Sequence, residues 1–124
     1  MTGRKALIAL TGAAAVAAAP ALAVAATSTK AKTRTVSVND NYYGPKTLTV
    51  HTGDTIKWHW SEDESDVHDV ALKTAPKGVK KFASDPLAAG DDFKRKLTTP
   101  GRYKIICTFH EEDMSMTITV KKRP

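Results

Sequence analysis

Three observations on the chain predict an all-β protein, a Greek-key β-sandwich of seven or eight strands. From Thr33 onward apolar and polar residues alternate in short runs; no run has a convincing helical period; and turn residues separate the runs at short intervals. Seven or so such runs in about 90 residues match what a sandwich with Greek-key connections requires.

The elements follow in order. Residues 33–38 form the first expected strand, and 46–50 the second, after a Tyr42-Tyr43-Gly44-Pro45 bend. The turn His51-Thr52-Gly53-Asp54 leads into 55–60, where alternation places Ile56, Trp58 and Trp60 inward and Lys57 and His59 outward. Residues 67–73 come next, with His68, Val70 and Leu72 on one face. A loop rich in Lys, Ala, Gly and Pro runs over 74–91, with room for one short helical turn. Strands over 92–97, 102–107 and 116–120 complete the set; Pro100-Gly101 opens the penultimate one, in which Tyr103, Ile105 and Cys107 share a face. His68 and Cys107 therefore both point inward, and they meet at one end of the sandwich if their strands are antiparallel or lie in facing sheets. The two Trp read as core, His51 and His59 as surface, and Tyr103 as packing near Cys107.

Composition bounds the rest. With 124 residues, 41% hydrophobic and 26% charged, the chain has room for one domain and one modest core. Arg4 and Lys5 precede an uncharged, Ala-rich stretch over 6–19, followed by Pro20 and the small-residue options Ala21-Leu22-Ala23 and Ala23-Val24-Ala25. That pattern is a cleavable signal peptide over 1–25. The apolar run is too short and too Ala-rich to favour a retained span, and the absence of a nearby cysteine argues against a lipid anchor. The expected organisation is the signal peptide, a flexible mature N-terminus over 26–32, and a single domain over 33–124, exported to a periplasm, cell envelope or extracellular space.

Setting Arg4 and Lys5 aside leaves 17 basic against 13 acidic residues, a net charge of +4. Eight of the carboxylates fall in two clusters: Glu62, Asp63, Glu64, Asp66 and Asp69, then Glu111, Glu112 and Asp113. The basic residues lie elsewhere and do not interleave with aromatics, which argues against a nucleic-acid partner.

Cys107 is the single cysteine, and in an oxidising compartment a lone thiol calls for an explanation. The stretch from Tyr103 to Val120 supplies one, because it sets a thiolate (Cys107), an imidazole (His110) and a thioether (Met114) in one loop between two strands, with His68 available as a second imidazole. Two imidazoles and a thiolate with a distant thioether suit copper, which then changes oxidation state with little rearrangement. Zinc is the rival, although structural zinc sites favour two or more Cys and catalytic ones an open position where this loop offers Met.

At these residues the chain resembles the cupredoxin family, the plastocyanin and amicyanin branch of the blue copper proteins. The resemblance runs through Val50-x-Thr-Gly-Asp-Thr-Ile-Lys-Trp58, His68-Asp69-Val70, Pro100-Gly101-x-Tyr103-x-Ile-x-Cys107-x-x-His110 and Met114-x-x-x-Ile118-x-Val120. It implies His68, Cys107 and His110 as equatorial ligands of one copper ion, with Met114 as the weak axial ligand. Three residues separate His110 from Met114, between the spacings of the short-loop and the plastocyanin-like members, so Met116 competes for the axial place. Asp69 stands where relatives often carry Asn; it either braces the two ligand loops near Thr108 or is an ordinary surface carboxylate. Phe109 stands where many carry Pro and keeps a backbone N–H for the Cys107 sulfur.

The resemblance further implies a one-electron carrier rather than an enzyme, exchanging electrons through His110. The residues flanking Cys107 are Ile106 and Thr108, not the extra histidines that wire a multicopper oxidase. The acidic clusters beside His68 and His110 point to a redox partner with a basic docking patch. The chain is expected to be a monomer with no membrane span after signal cleavage. The competing reading is an envelope copper-binding or copper-delivery protein.

Overall fold

The computed structural model describes residues 30–124, so the expected signal peptide lies outside the described residues. Eight strands form, and no helix appears among the described residues: β1 (Thr33–Asn39), β2 (Tyr42–Gly44), β3 (Thr47–His51), β4 (Thr55–Trp60), β5 (Ala71–Thr74), β6 (Asp92–Lys96), β7 (Gly101–Ile106) and β8 (Ser115–Lys121). They build two four-stranded sheets, ordered β2-β1-β4-β6 and β3-β8-β7-β5. Strands β1 and β4 run parallel, as do β3 and β8, while β5, β7 and β8 are antiparallel neighbours. This is the all-β sandwich the alternation predicts.

The core follows from the same period of two. Ile56, Trp58 and Trp60 on β4 face Tyr103 and Ile105 on β7 and Met116, Ile118 and Val120 on β8, all of them buried, with Val36 and Val38 of β1 completing the layer. The Trp58 indole N–H lies 3.4 Å from the Met116 sulfur, which fixes both side chains in the core. Gly101 opens β7 with φ of 137°, and a Cβ there would meet Pro76 at 2.5 Å, so only glycine fits this turn.

Three details differ from the sequence reading. Tyr42–Gly44, read as a bend, pairs with β1 as a short strand. His68 precedes β5 instead of lying in it, and is held by an isolated antiparallel bridge to Leu87. The loop over 74–91 contains no helical turn, because its bridges to His68 and Ala71 hold it extended across the sandwich edge.

One end is closed by Asp54, where β3 and β8 finish. Its carboxylate accepts the backbone N–H of Lys32 at 2.8 Å and of His51 at 2.9 Å, and it pairs with Arg123. Burial alone would raise this acid, but those donors outweigh it and hold its pKa below the usual value. The stability it contributes is therefore complete above the ordinary carboxylate pKa of about 3.9 and is lost as pH falls below that toward the lowered folded value. Asp54→Asn is expected to cost about 1–3 kcal/mol at neutral pH and to flatten the acid limb of the stability profile, read by urea unfolding at a series of pH values.

Candidate metal centre

The opposite end of the sandwich gathers the ligand candidates. Ala71 of β5 pairs with Ile106 of β7, so the chain before β5 and the chain after β7 emerge side by side, bringing His68 next to Cys107. The β7–β8 loop is wound tightly: Cys107 N–H donates to the Met114 carbonyl at 3.0 Å, His110 N–H to the Cys107 carbonyl at 3.2 Å, and Met114 N–H to the His110 carbonyl at 2.8 Å. These bonds fold the loop back on itself, so that His110 lies beside the residue that opens it.

Cys107 Sγ lies 3.8 Å from His68 Nδ1 and 3.8 Å from His110 Nδ1, and one ligating atom from each residue falls within 4.8 Å of the others. Bond lengths of about 2.0 Å to nitrogen and about 2.3 Å to sulfur put the two atoms about 3.7 Å apart across a trigonal angle. The spacing thus fits one first-row metal ion. His68 and Cys107 are buried, while His110 is half-buried and reaches solvent beside Phe109, which is 55% exposed.

Burial pushes the Cys107 thiol up, and the backbone N–H groups of Asp69, Phe109 and His110 counter it, although the Asp69 charge adds to the rise. Hydrogen bonds to a thiolate weaken its donation to a metal and favour the reduced ion. Phe109→Pro deletes one of these donors, so voltammetry of the copper-loaded variant is expected to give a lower potential than the wild type.

The two ligand segments are tied together by Asp69. Its carboxylate accepts Thr108 N–H at 2.7 Å and the Thr108 hydroxyl at 2.5 Å, so of the two sequence readings the brace is the one the structure has, and the carboxylate is buried rather than at the surface. Tyr43 O–H donates to the Asp69 carbonyl at 2.6 Å, and Trp60 Nε1–H to the His68 carbonyl at 3.1 Å. Burial, with the charges of Cys107 and Asp69, pushes the Tyr43 phenol far above its ordinary value, so it stays a donor. Tyr103 does not share this role: its hydroxyl donates to the Thr99 carbonyl near the start of β7, away from Cys107.

Met114 is fully buried, and its backbone closes the loop on Cys107. Met116 is buried too, on the β8 face shared with Ile118 and Val120.

Two acids at the site escape sequence reasoning. Asp40, in the turn between β1 and β2, has its Oδ1 3.0 Å from His68 Nε2. Glu64, read as part of an acidic surface cluster, is buried with both oxygens lacking a hydrogen-bond partner, and burial pushes its pKa up to about 7. No spacing rule marks Asp40, since an Asn-Asp-Asn run reads as turn chemistry alone. The acidic rim is correspondingly thinner than the sequence implies: Glu62, Asp63, Asp66, Glu112 and Asp113 are exposed, Glu64 and Asp69 are interior, and Glu111 pairs with Lys73.

Known proteins share this fold. A copper-containing nitrite reductase from Thermus scotoductus is 28% identical over 73% of this chain, with a TM-score of 0.63; the match covers 22% of that enzyme, so the chain corresponds to a small part of it. A reduced amicyanin mutant is 24% identical over 70% of this chain and 80% of its own, with a TM-score of 0.62. A pseudoazurin from Sinorhizobium is 20% identical over 74% of this chain and 76% of its own, also with a TM-score of 0.62. A search of the curated proteins finds no match. No helix among the described residues is long and apolar enough to cross a membrane. The model of the cupredoxin-like domain matches residues 8–120. That family holds one copper ion, this chain sets a His-Cys-His group in position to bind a metal, and the chain belongs to the cupredoxin-like domain family.

Proposed function

We propose that the chain is an exported blue copper protein that carries single electrons, and that His68, Cys107, His110 and Met114 would hold the ion. The observation that carries this reading is the placement of Cys107 Sγ 3.8 Å from the Nδ1 atoms of both histidines at a buried end of the sandwich. Support for Met114 over Met116 comes from the Trp58 indole, which already engages the Met116 sulfur. When bound, copper supplies the one-electron Cu(I)/Cu(II) couple. The chain supplies the rest. Cys107 and His68 keep water from the ligating atoms by their burial, Asp69 and the loop hydrogen bonds hold the ligands in one geometry for both oxidation states, and the His110 ring offers the path to a partner. A thiolate, two imidazoles and a thioether are a donor set that suits electron carriage.

The signal peptide over 1–25 would deliver the domain over 33–124 across a membrane, where it acts as a monomer. The exposed acids around His68 and His110 favour a redox partner with a basic patch. Exchange rates are then expected to fall as salt rises, and Glu112→Gln to weaken that dependence.

Voltammetry combined with a metal-release assay tests the reading. Fast, reversible one-electron exchange with copper retained against a chelator is the expected result. Sluggish exchange with rapid release would instead identify a delivery protein.

A further inference from the structure

The two nitrogens of His68 face different surroundings. Nδ1 faces the Cys107 sulfur at 3.8 Å, and Nε2 faces the Asp40 carboxylate at 3.0 Å. The ring is fully buried, whereas Asp40 lies at the surface with its side chain 37% exposed. Backbone bonds hold the His68 main chain, through Leu87 on both sides and through the Trp60 indole, but none of them sets the rotation or tautomer of the ring. Among the described residues, the Nε2 side of the ring meets Asp40 and, at 3.9 Å, the buried Glu64.

Asp40 is itself immobilised. Its carboxylate accepts Ser65 N–H at 3.0 Å, the Ser65 hydroxyl at 3.0 Å and Asp66 N–H at 3.2 Å, so the β1–β2 turn, the acidic loop after β4 and the His68 ring share one anchor. A carboxylate that accepts the outer N–H of a ligating imidazole fixes its tautomer and makes the inner nitrogen a stronger donor. Stronger donation favours the more highly charged metal ion.

We propose that Asp40 is a positioning residue of the metal centre: it holds His68 with Nε2–H outward and Nδ1 toward Cys107, and its charge lowers the reduction potential of the copper site. The inference rests on the blue-copper reading above. Glu64 lies buried on the same side of the ring at 3.9 Å, and Asp40 is the partner within hydrogen-bond distance.

Two variants separate geometry from charge. Asp40→Asn keeps an oxygen acceptor for Nε2–H and removes the charge; Asp40→Ala removes both. Voltammetry of copper-loaded Asp40→Asn is expected to show a rise of at least 59 mV, which is a tenfold shift in the preference for Cu(I) over Cu(II), with the visible band retained. Asp40→Ala is expected to show a rise at least as large, with a shifted visible band. In the metal-free wild type, nitrogen-15 NMR is expected to find the proton of neutral His68 on Nε2, and Asp40→Ala is expected to lose that preference. Ser65→Ala loosens the loop and leaves the Asp40 charge in place, so it should lower stability without moving the potential.

Wild-type potentials in both Asp40 variants, or a potential shift in Ser65→Ala as large as in Asp40→Ala, would overturn the proposal and leave Asp40 as a loop staple. A wild type that forms no blue complex would instead defeat the reading on which the proposal rests, so the two failures are distinguishable.

Discussion

Trp60→Ala is expected to destabilise the protein by about 3–5 kcal/mol, the cost of emptying a fully buried indole from the centre of a packed core. The same substitution removes the N–H that holds the His68 carbonyl, so copper affinity should fall together with stability. Trp60→Phe keeps most of the packing and loses the hydrogen bond, and about 1–2 kcal/mol is expected there. Urea unfolding of the metal-free proteins measures the first effect, and competition with a copper chelator measures the second. Equal affinities in wild type and Trp60→Phe would show that the indole is packing alone.

Asp69→Ala is expected to have the next largest effect. Two short hydrogen bonds join its buried carboxylate to Thr108, and removing an ionised acceptor leaves the Thr108 donors without that partner at the start of the ligand loop. A loss of about 2–4 kcal/mol follows from two charge-assisted bonds. The loop between Cys107 and Met114 should also loosen, which broadens the visible band of the copper-loaded protein. Asp69→Asn can still accept one of the two bonds and should recover most of the band. Spectra of the two variants side by side check the difference: an Ala variant that matches the wild type would remove Asp69 from the account of the site.

Much of this was legible in the sequence because both signals involved are local. Alternation over β4 and β7 follows from the geometry of an extended chain, and it places Ile56, Trp58, Trp60, Tyr103 and Ile105 inward with no knowledge of topology. The Cys107-to-Met114 stretch carries three donor types in one loop, so a short span of sequence contains most of the site. What the sequence hid depends on long-range pairing. His68 owes its place to a bridge with Leu87, which alternation over 67–73 mistakes for a strand position. Tyr43 and Asp40 reach Asp69 and His68 from 26 and 28 residues away, across the sandwich end, and no period or motif records such contacts. Glu64 reads as one of a run of surface acids because charge patterning counts residues without their burial. The acidic rim was therefore overdrawn, and the interior of the site underdrawn, for the same reason.

The most direct test of the central claim is to add Cu(II) to the purified protein and record its visible spectrum, with Cys107→Ser as the control. An intense thiolate-to-copper band is expected at one equivalent of copper, absent from the Cys107→Ser variant. A colourless wild-type complex, or a band that survives the loss of the thiol, would contradict it.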